Sequence, residues 1–195
     1  MQEVFYFRTM DESKNPWQIQ AERAIYDNQW IQLTEFDVIN PSGGPGIYGK
    51  VHFKNLAIGI VPLDEQMNTY LVGQYRFTLN RYSWEIPEGG GPLTIDPLES
   101  ARRELLEETG LTADRWEKIL DLDLSNSVTD ETGYIYLARD LKEGMAQPEE
   151  TEDLMVRKMP FSDAIRMVEE GKVTDSMSVA ALLKVKLMIK DGRIS

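Results

Sequence analysis

Glu104, Glu107 and Glu108 are the residues of this chain best spaced to act together. An α-helix turns about 100° per residue, so Glu108 falls about 40° to one side of Glu104 and Glu107 about 60° to the other. Three carboxylates then share one narrow face. Like charges at (i, i+4) cost a helix roughly 0.2–0.5 kcal/mol per pair, so a cation among them would be stabilising. Hard oxygen ligands in this arrangement suit Mg²⁺ or Mn²⁺. A solvated acidic face is the competing reading, and the three glutamates alone leave both open.

The elements around them follow from local signals. The helix is expected to start at Asp96-Pro97, an N-cap followed by proline in the first turn, and to stop at Thr109-Gly110. Before it come a Gly-rich loop at Gly89–Pro92 and a short strand at Ser83–Pro87. The nearly continuous apolar run Asn55–Leu63 reads as a strand buried on both faces, and Thr69–Arg76 as the next strand. Trp116–Asp123, Gly133–Asp140 and Leu154–Met159 read as strands, Ser162–Glu170 and Asp175–Lys190 as helices. Upstream, Val4–Arg8 is strand-like. Trp17–Tyr26 and Trp30–Ile39 alternate around Asp27-Asn28-Gln29 as a hairpin, and Ile47–Phe53 adds a third strand. The fold class is α+β. A small antiparallel N-terminal sheet (1–53) precedes a larger domain (54–195). So small a sheet is marginal in isolation.

Composition narrows the chemistry. The 195 residues are 42% hydrophobic and 28% charged, ordinary for a globular protein. A net charge of −12 disfavours nucleic acid as a partner. With no cysteine and only His52, disulfides, thiolate metal sites and multi-histidine zinc sites are excluded. No apolar run reaches ~18 residues and the start has no secretory pattern, so no membrane partner and a cytoplasmic location are expected.

With its flanks, the stretch Gly89–Leu111 resembles the Nudix box. Gly89, Arg103, Glu104, Leu105, Glu107, Glu108, Gly110 and Leu111 stand at the box spacings. One position departs: the first box glutamate falls on Ile95. Glu99, four residues before Arg103, is expected to tether that arginine instead. The resemblance implies a Nudix fold, a mixed β-sheet sandwiched between helices, and hydrolysis of a nucleoside diphosphate linked to another group. It implies two or more Mg²⁺ or Mn²⁺ ions on Glu104, Glu107 and Glu108. Glu88 adds a backbone carbonyl or its own carboxylate, and Arg103 and Glu107 are among the catalytic residues.

Asn15-Pro16-Trp17, Gly73-Gln74-Tyr75-Arg76, Trp84-Glu85-Ile86-Pro87, Leu137-Ala138-Arg139 and Ser178–Leu182 are similar to the ADP-ribose and nucleotide-sugar pyrophosphatase branch. That likeness implies that Arg76 contacts phosphate or the second sugar, as a guanidinium fork suits, and that Glu85 points into the cleft. It implies a general base from the acidic loop near Glu149–Asp153, Glu150 first and Glu152 second. Thr129 and Glu131 are expected to touch the sugar. The likeness also implies a homodimer through the N-terminal sheet, with Trp17, Tyr26 and Trp30 available to stack on the base; core or interface packing is their simpler role. Asn126 stands where ADP-ribose-specific members carry proline, which broadens the expected substrates to nucleoside diphosphate sugars, ADP-ribose included. A dinucleoside polyphosphate or coenzyme is the alternative substrate, and a non-catalytic nucleotide sensor the less favoured one.

Overall fold

A computed structural model describes residues 14–144 and 154–194. The expected strand Val4–Arg8 and the loop holding Glu150 and Glu152 lie outside the described residues. The chain forms two compact units that meet between His52 and Phe53.

The first unit is a three-stranded sheet in the order β1 (Gln18–Asp27), β2 (Ile31–Ile39) and β3 (Pro45–Phe53). Asn28 makes the first turn: its Oδ1 accepts the Trp30 and Ile31 amides, each at 2.8 Å. Val38 alone is buried among the described residues of this unit, whereas Ile19, Ile25, Tyr26, Trp30 and Ile47 are each more than half exposed.

The second unit is built on β4 (Asn55–Pro62), which is the apolar run seen in the sequence. It lies inside a mixed four-stranded sheet with β7 (Glu88–Pro92), β9 (Glu131–Glu143) and β8 (Leu111–Leu124), in the order β7-β4-β9-β8. Only β4 and β9 run parallel. β10 (Met155–Pro160), β5 (Asn68–Arg76) and β6 (Arg81–Glu85) form a second, antiparallel sheet in the order β10-β5-β6. Three helices cover these sheets: α1 (Pro97–Thr109), α2 (Phe161–Glu169) and α3 (Ser176–Lys190).

Both faces of β4 are used, as its composition demands. Ile58 and Ile60 pack with Ala101 and Leu105 of α1 and with Tyr136 and Ala138 of β9. Val61 packs on the other side with Ile135, Leu137 and with Leu182 and Val185 of α3. Burying each such aliphatic side chain is worth about 1.5–3 kcal/mol, and truncating Leu105 to alanine would cost roughly 2–5 kcal/mol.

The helix ends match their local signals. Asp96 accepts the Leu98 amide at 2.8 Å, Pro97 opens α1, and Gly110 closes it at φ 74°. The Gly-rich stretch does not: Gly89–Pro92 belongs to strand β7, paired with β4. Its glycines permit close approach rather than a turn. A Cβ on Gly91 would stand 2.9 Å from Ile58 Cγ1, and one on Gly89 2.3 Å from the Glu104 carboxyl carbon. Strands β8 and β9 are also longer than the apolar pattern suggests, because cross-strand pairing continues through polar ends to Leu111↔Glu143.

Candidate active site

Two elements that follow one another in sequence build the acidic centre, the β6–β7 segment and α1. Register sets β7 against β4 with Glu88 opposite Gly59 and Gly89 opposite Ile58. The buried face of α1 presents Glu104 and Glu108, 7% and 2% exposed, toward this strand. The missing side chain of Gly89 makes room for the Glu104 carboxylate. The Glu88 amide donates to Glu108 Oε2 at 2.9 Å, which joins the helix to the strand.

Arg103 bridges the remaining carboxylates. Its Nη1 donates to Glu107 at 2.8 Å, and its Nη2 donates to Glu104 at 2.6 Å and to the Gly90 carbonyl at 2.8 Å. The expected Glu99 tether is absent. Glu99 bonds Arg102 instead, at 2.7 Å on the exposed side of the helix. The correction has a geometric cause: Arg103 turns toward β7, where a carbonyl and two carboxylates outcompete a solvated partner.

A second fork lies alongside. Arg76, at the end of β5, donates from Nε to both oxygens of Glu85 at 3.0 Å, and from Nη2 to Glu85 and to Glu88 Oε1, the latter at 2.9 Å. Pairing puts Glu85 opposite Val72, four residues back from Arg76 on the same face, so the long arginine side chain reaches back along the strand to meet it. Glu85 is 3% exposed, so Arg76 supplies hydrogen bonds that solvent does not. Burial pushes the Glu88 carboxyl well above the usual carboxylate range, with Asp175, Glu85 and Glu108 adding repulsion and Arg76 opposing it.

Asp175 and Ser178 complete the surroundings, and neither was singled out as a site residue in the sequence. Asp175 caps α3 by accepting the Ser178 amide at 2.7 Å. Ser178 is fully buried, and its hydroxyl oxygen accepts the Ile86 amide at 2.9 Å. The cap pattern at the start of α3 was legible as a helix signal. Its contact with the strand before Glu88 depends on tertiary packing.

The other expected residues are placed less centrally. The Thr129 hydroxyl bonds the Leu124 carbonyl and receives the Glu131 amide at 3.4 Å, so it shapes its own loop. Glu131 is half-buried, which raises its carboxyl above the usual range. In the first unit, Trp17 meets the Tyr48 ring edge-on at 5.2 Å and Trp30 is exposed.

A divalent cation fits the donor set. Every side-chain donor is a hard carboxylate oxygen. Glu88 Oε2 is buried with no hydrogen-bond partner, and the Gly89 cradle keeps bulk away from Glu104. Among the described residues, no three acidic groups stand ready-made as a metal cage. Arg103 supplies the positive charge between Glu104 and Glu107, so admitting a metal there requires that fork to release one of them.

Comparison with known proteins identifies the family. Residues 53–179 match the NUDIX domain. The chain is 37% identical over 133 residues to an ADP-ribose pyrophosphatase of Mycobacterium tuberculosis, covering 66% of this chain and 64% of that protein's length. It is 32% identical over 180 residues to a GDP-mannose pyrophosphatase of Pectobacterium atrosepticum, covering 83% and 90% of the two. The crystal structure of an ADP compounds hydrolase, 21% identical, shares the fold at a TM-score of 0.82 over 94% of this chain and 100% of that one. The matched region contains Gly89, Arg103 and all three box glutamates on the helix and strand described above. The chain therefore belongs to the Nudix family, with its α+β fold, and is an enzyme of the family's pyrophosphatase type.

Proposed function

We propose that this chain hydrolyses the pyrophosphate bond of nucleoside diphosphate sugars, ADP-ribose among them, to a nucleoside monophosphate and a sugar phosphate. The observation that carries this reading is the convergence of Glu88, Glu104 and Glu108 around Gly89, flanked by the Arg103 and Arg76 forks. Glu104, Glu107, Glu108 and Glu88 would hold Mg²⁺ or Mn²⁺, two or more ions. Once bound, such ions offset phosphate charge and acidify the attacking water.

The chain's own residues position the reactants. Glu85 and Glu88 engage Nε and Nη2 of Arg76, which leaves Nη1 as the edge for a phosphate oxygen or the second sugar. Their grip fixes the direction of that edge, and fixed direction is what a positioned substrate requires. Arg103 holds Glu107 and Glu104 in one geometry, and its release from one of them would accompany metal loading. Glu150, with Glu152 second, takes the proton of the attacking water. Thr129 and Glu131 face the sugar in this reading. The chain acts as a cytoplasmic homodimer joined through the N-terminal sheet. Support comes from the exposed Ile19, Ile25, Trp30 and Ile47 of that unit, with Trp17 and Trp30 available to the base. No nucleic-acid or membrane partner is involved. Among the described residues, no helix is long and apolar enough to cross a membrane.

The test is release of phosphate from a panel of nucleotide sugars with Mg²⁺, using an added phosphatase to reveal the monoester products. Activity on several members, ADP-ribose included, is expected; silence across the panel would refute the reading. Within it, Glu150→Gln should lower kcat far more than it changes KM. Near-normal turnover in that variant would move the base to Glu152 or Glu107.

A further inference from the structure

The chain passes from one sheet of the larger unit to the other through Ile86 and Pro87. Strand β6 ends at Glu85 in the antiparallel sheet, and β7 begins at Glu88 in the mixed one. Neither residue of the crossing belongs to a strand ladder, and both are buried. A backbone group buried there must find its partner outside strand pairing. Pro87 has no amide to satisfy, and its carbonyl accepts the Ile60 amide at 2.8 Å. The Ile86 amide donates to Ser178 Oγ at 2.9 Å.

Ser178 is itself held. It lies in the first turn of α3, fully buried, and Asp175 accepts its amide at 2.7 Å. The hydroxyl therefore reaches Ile86 from a capped helix end. On the crossing side, each residue from Glu85 to Glu88 has one anchor from a different element. Arg76 grips Glu85, Ser178 holds Ile86, Ile60 holds Pro87, and Glu108 accepts the Glu88 amide at 2.9 Å. Removing the Ser178 hydroxyl leaves its bond to Ile86 unmade in a place that water does not reach. The crossing then relaxes at the residue that separates Glu85 from Pro87 and Glu88.

We propose that Ser178 is a positioning residue for the reaction. Through the Ile86 amide it fixes the Glu85–Glu88 crossing, and with it the Glu88 oxygens offered to a divalent ion. This rests on the reading of Glu88 as a metal ligand given above. Ser178 acts only through Ile86 and is not itself a ligand. A ligand has to be held to within about 0.5 Å, so the group that fixes its backbone matters beyond its share of stability. Outer partners that orient metal ligands typically account for about 10–100-fold in metal affinity.

Titration of the full chain with Mn²⁺, followed by the electron paramagnetic resonance of the free ion, reads the site without turnover. Ser178→Ala should weaken Mn²⁺ binding by about tenfold or more and lower kcat to a similar degree, with KM changed less than about twofold. Ser178→Cys keeps nearly the same volume but offers only a weak acceptor, so it should lose affinity as well. Met188→Ala supplies the control for lost stability. It opens a cavity ten residues further along α3, about 15 Å away, and should lower Tm while binding Mn²⁺ as the unaltered chain does. No Mn²⁺ binding by the unaltered chain, undiminished binding in Ser178→Ala or Ser178→Cys, or an equal loss in Met188→Ala would overturn the proposal. A silent nucleotide-sugar panel beside weakened Mn²⁺ binding in both Ser178 variants would refute the substrate reading and leave the positioning role standing.

Discussion

Two arginine forks hold the carboxylates of this site; each grips one buried carboxylate, Glu104 or Glu85, and they differ at the second partner, Glu107 at 26% exposed against Glu88 at 14%. Arg103 lies on the rim, its side chain 39% exposed, and one of its partners, Glu107, is 26% exposed. Arg76 grips Glu85, whose side chain is 4% exposed, with two nitrogens. A rim fork can exchange partners at little cost, because water takes up what it releases. A fork on a buried carboxylate cannot, because the abandoned charge has no solvent to turn to. Arg103 is therefore suited to let go of Glu107 during turnover, and Arg76 to stay on Glu85 as part of the fold.

Substitutions can break that contrast, and the largest expected effect is on Glu104. Glu104→Gln should lower kcat by about a thousandfold, the scale of losing one electrostatic group at a reaction centre, with Tm within a few degrees of the unaltered chain. Steady-state kinetics beside thermal unfolding reads both. Glu85→Gln should show the reverse emphasis, losing about 2 kcal/mol of stability, or about 5 °C in Tm, as Arg76 loses its buried counter-charge. An unchanged Tm with collapsed turnover would make the two forks equivalent and remove the distinction.

An ion pair away from both forks calibrates the scale. Asp64 loses solvation by burial, yet hydrogen bonds from Lys158 at 2.9 Å and from Asn68 hold its carboxyl below the usual range. Its pKa is thus lower in the folded chain than in the unfolded one. The stability it adds is present above the ordinary aspartate pKa and is lost as pH falls through the folded value. Asp64→Asn should flatten the acid limb of Tm against pH by about 1 kcal/mol and leave the neutral limb nearly parallel to that of the unaltered chain. The smallest effect belongs to Glu99→Gln. With its carboxylate on exposed Arg102, stability should change by less than about 0.5 kcal/mol, and activity should hold. A marked loss of activity would restore Glu99 as the tether of Arg103.

How far the site was legible depends on the range of each interaction. The span of α1, its Asp96 cap, its Gly110 stop and the common face of Glu104, Glu107 and Glu108 all follow from contacts within a few turns of one helix. Periodicity and capping report such contacts directly. The buried run of β4 was legible for the same reason, as every residue in it had to face something apolar. The Gly-rich stretch misled because glycine serves both turns and close approach, and sequence does not show what approaches. Residues 14–16 and the first hairpin carry their own turn signals, but the loop of Glu150 and Glu152 lies outside the described residues, so their role rests on resemblance.

By itself the sequence determined one rigid acidic face and the caps that bound it, because those are local properties of a helix. Tertiary structure decided which cations meet that face. It turned Arg103 from Glu99 to Gly90 and Glu107, brought Arg76 onto Glu85 and Glu88, and set the Ser178 hydroxyl under the Ile86 amide. Each of those contacts except the one to Glu107 crosses between secondary-structure elements. Strand register and helix packing alone fix such distances, and neither is written in the spacing of any single segment.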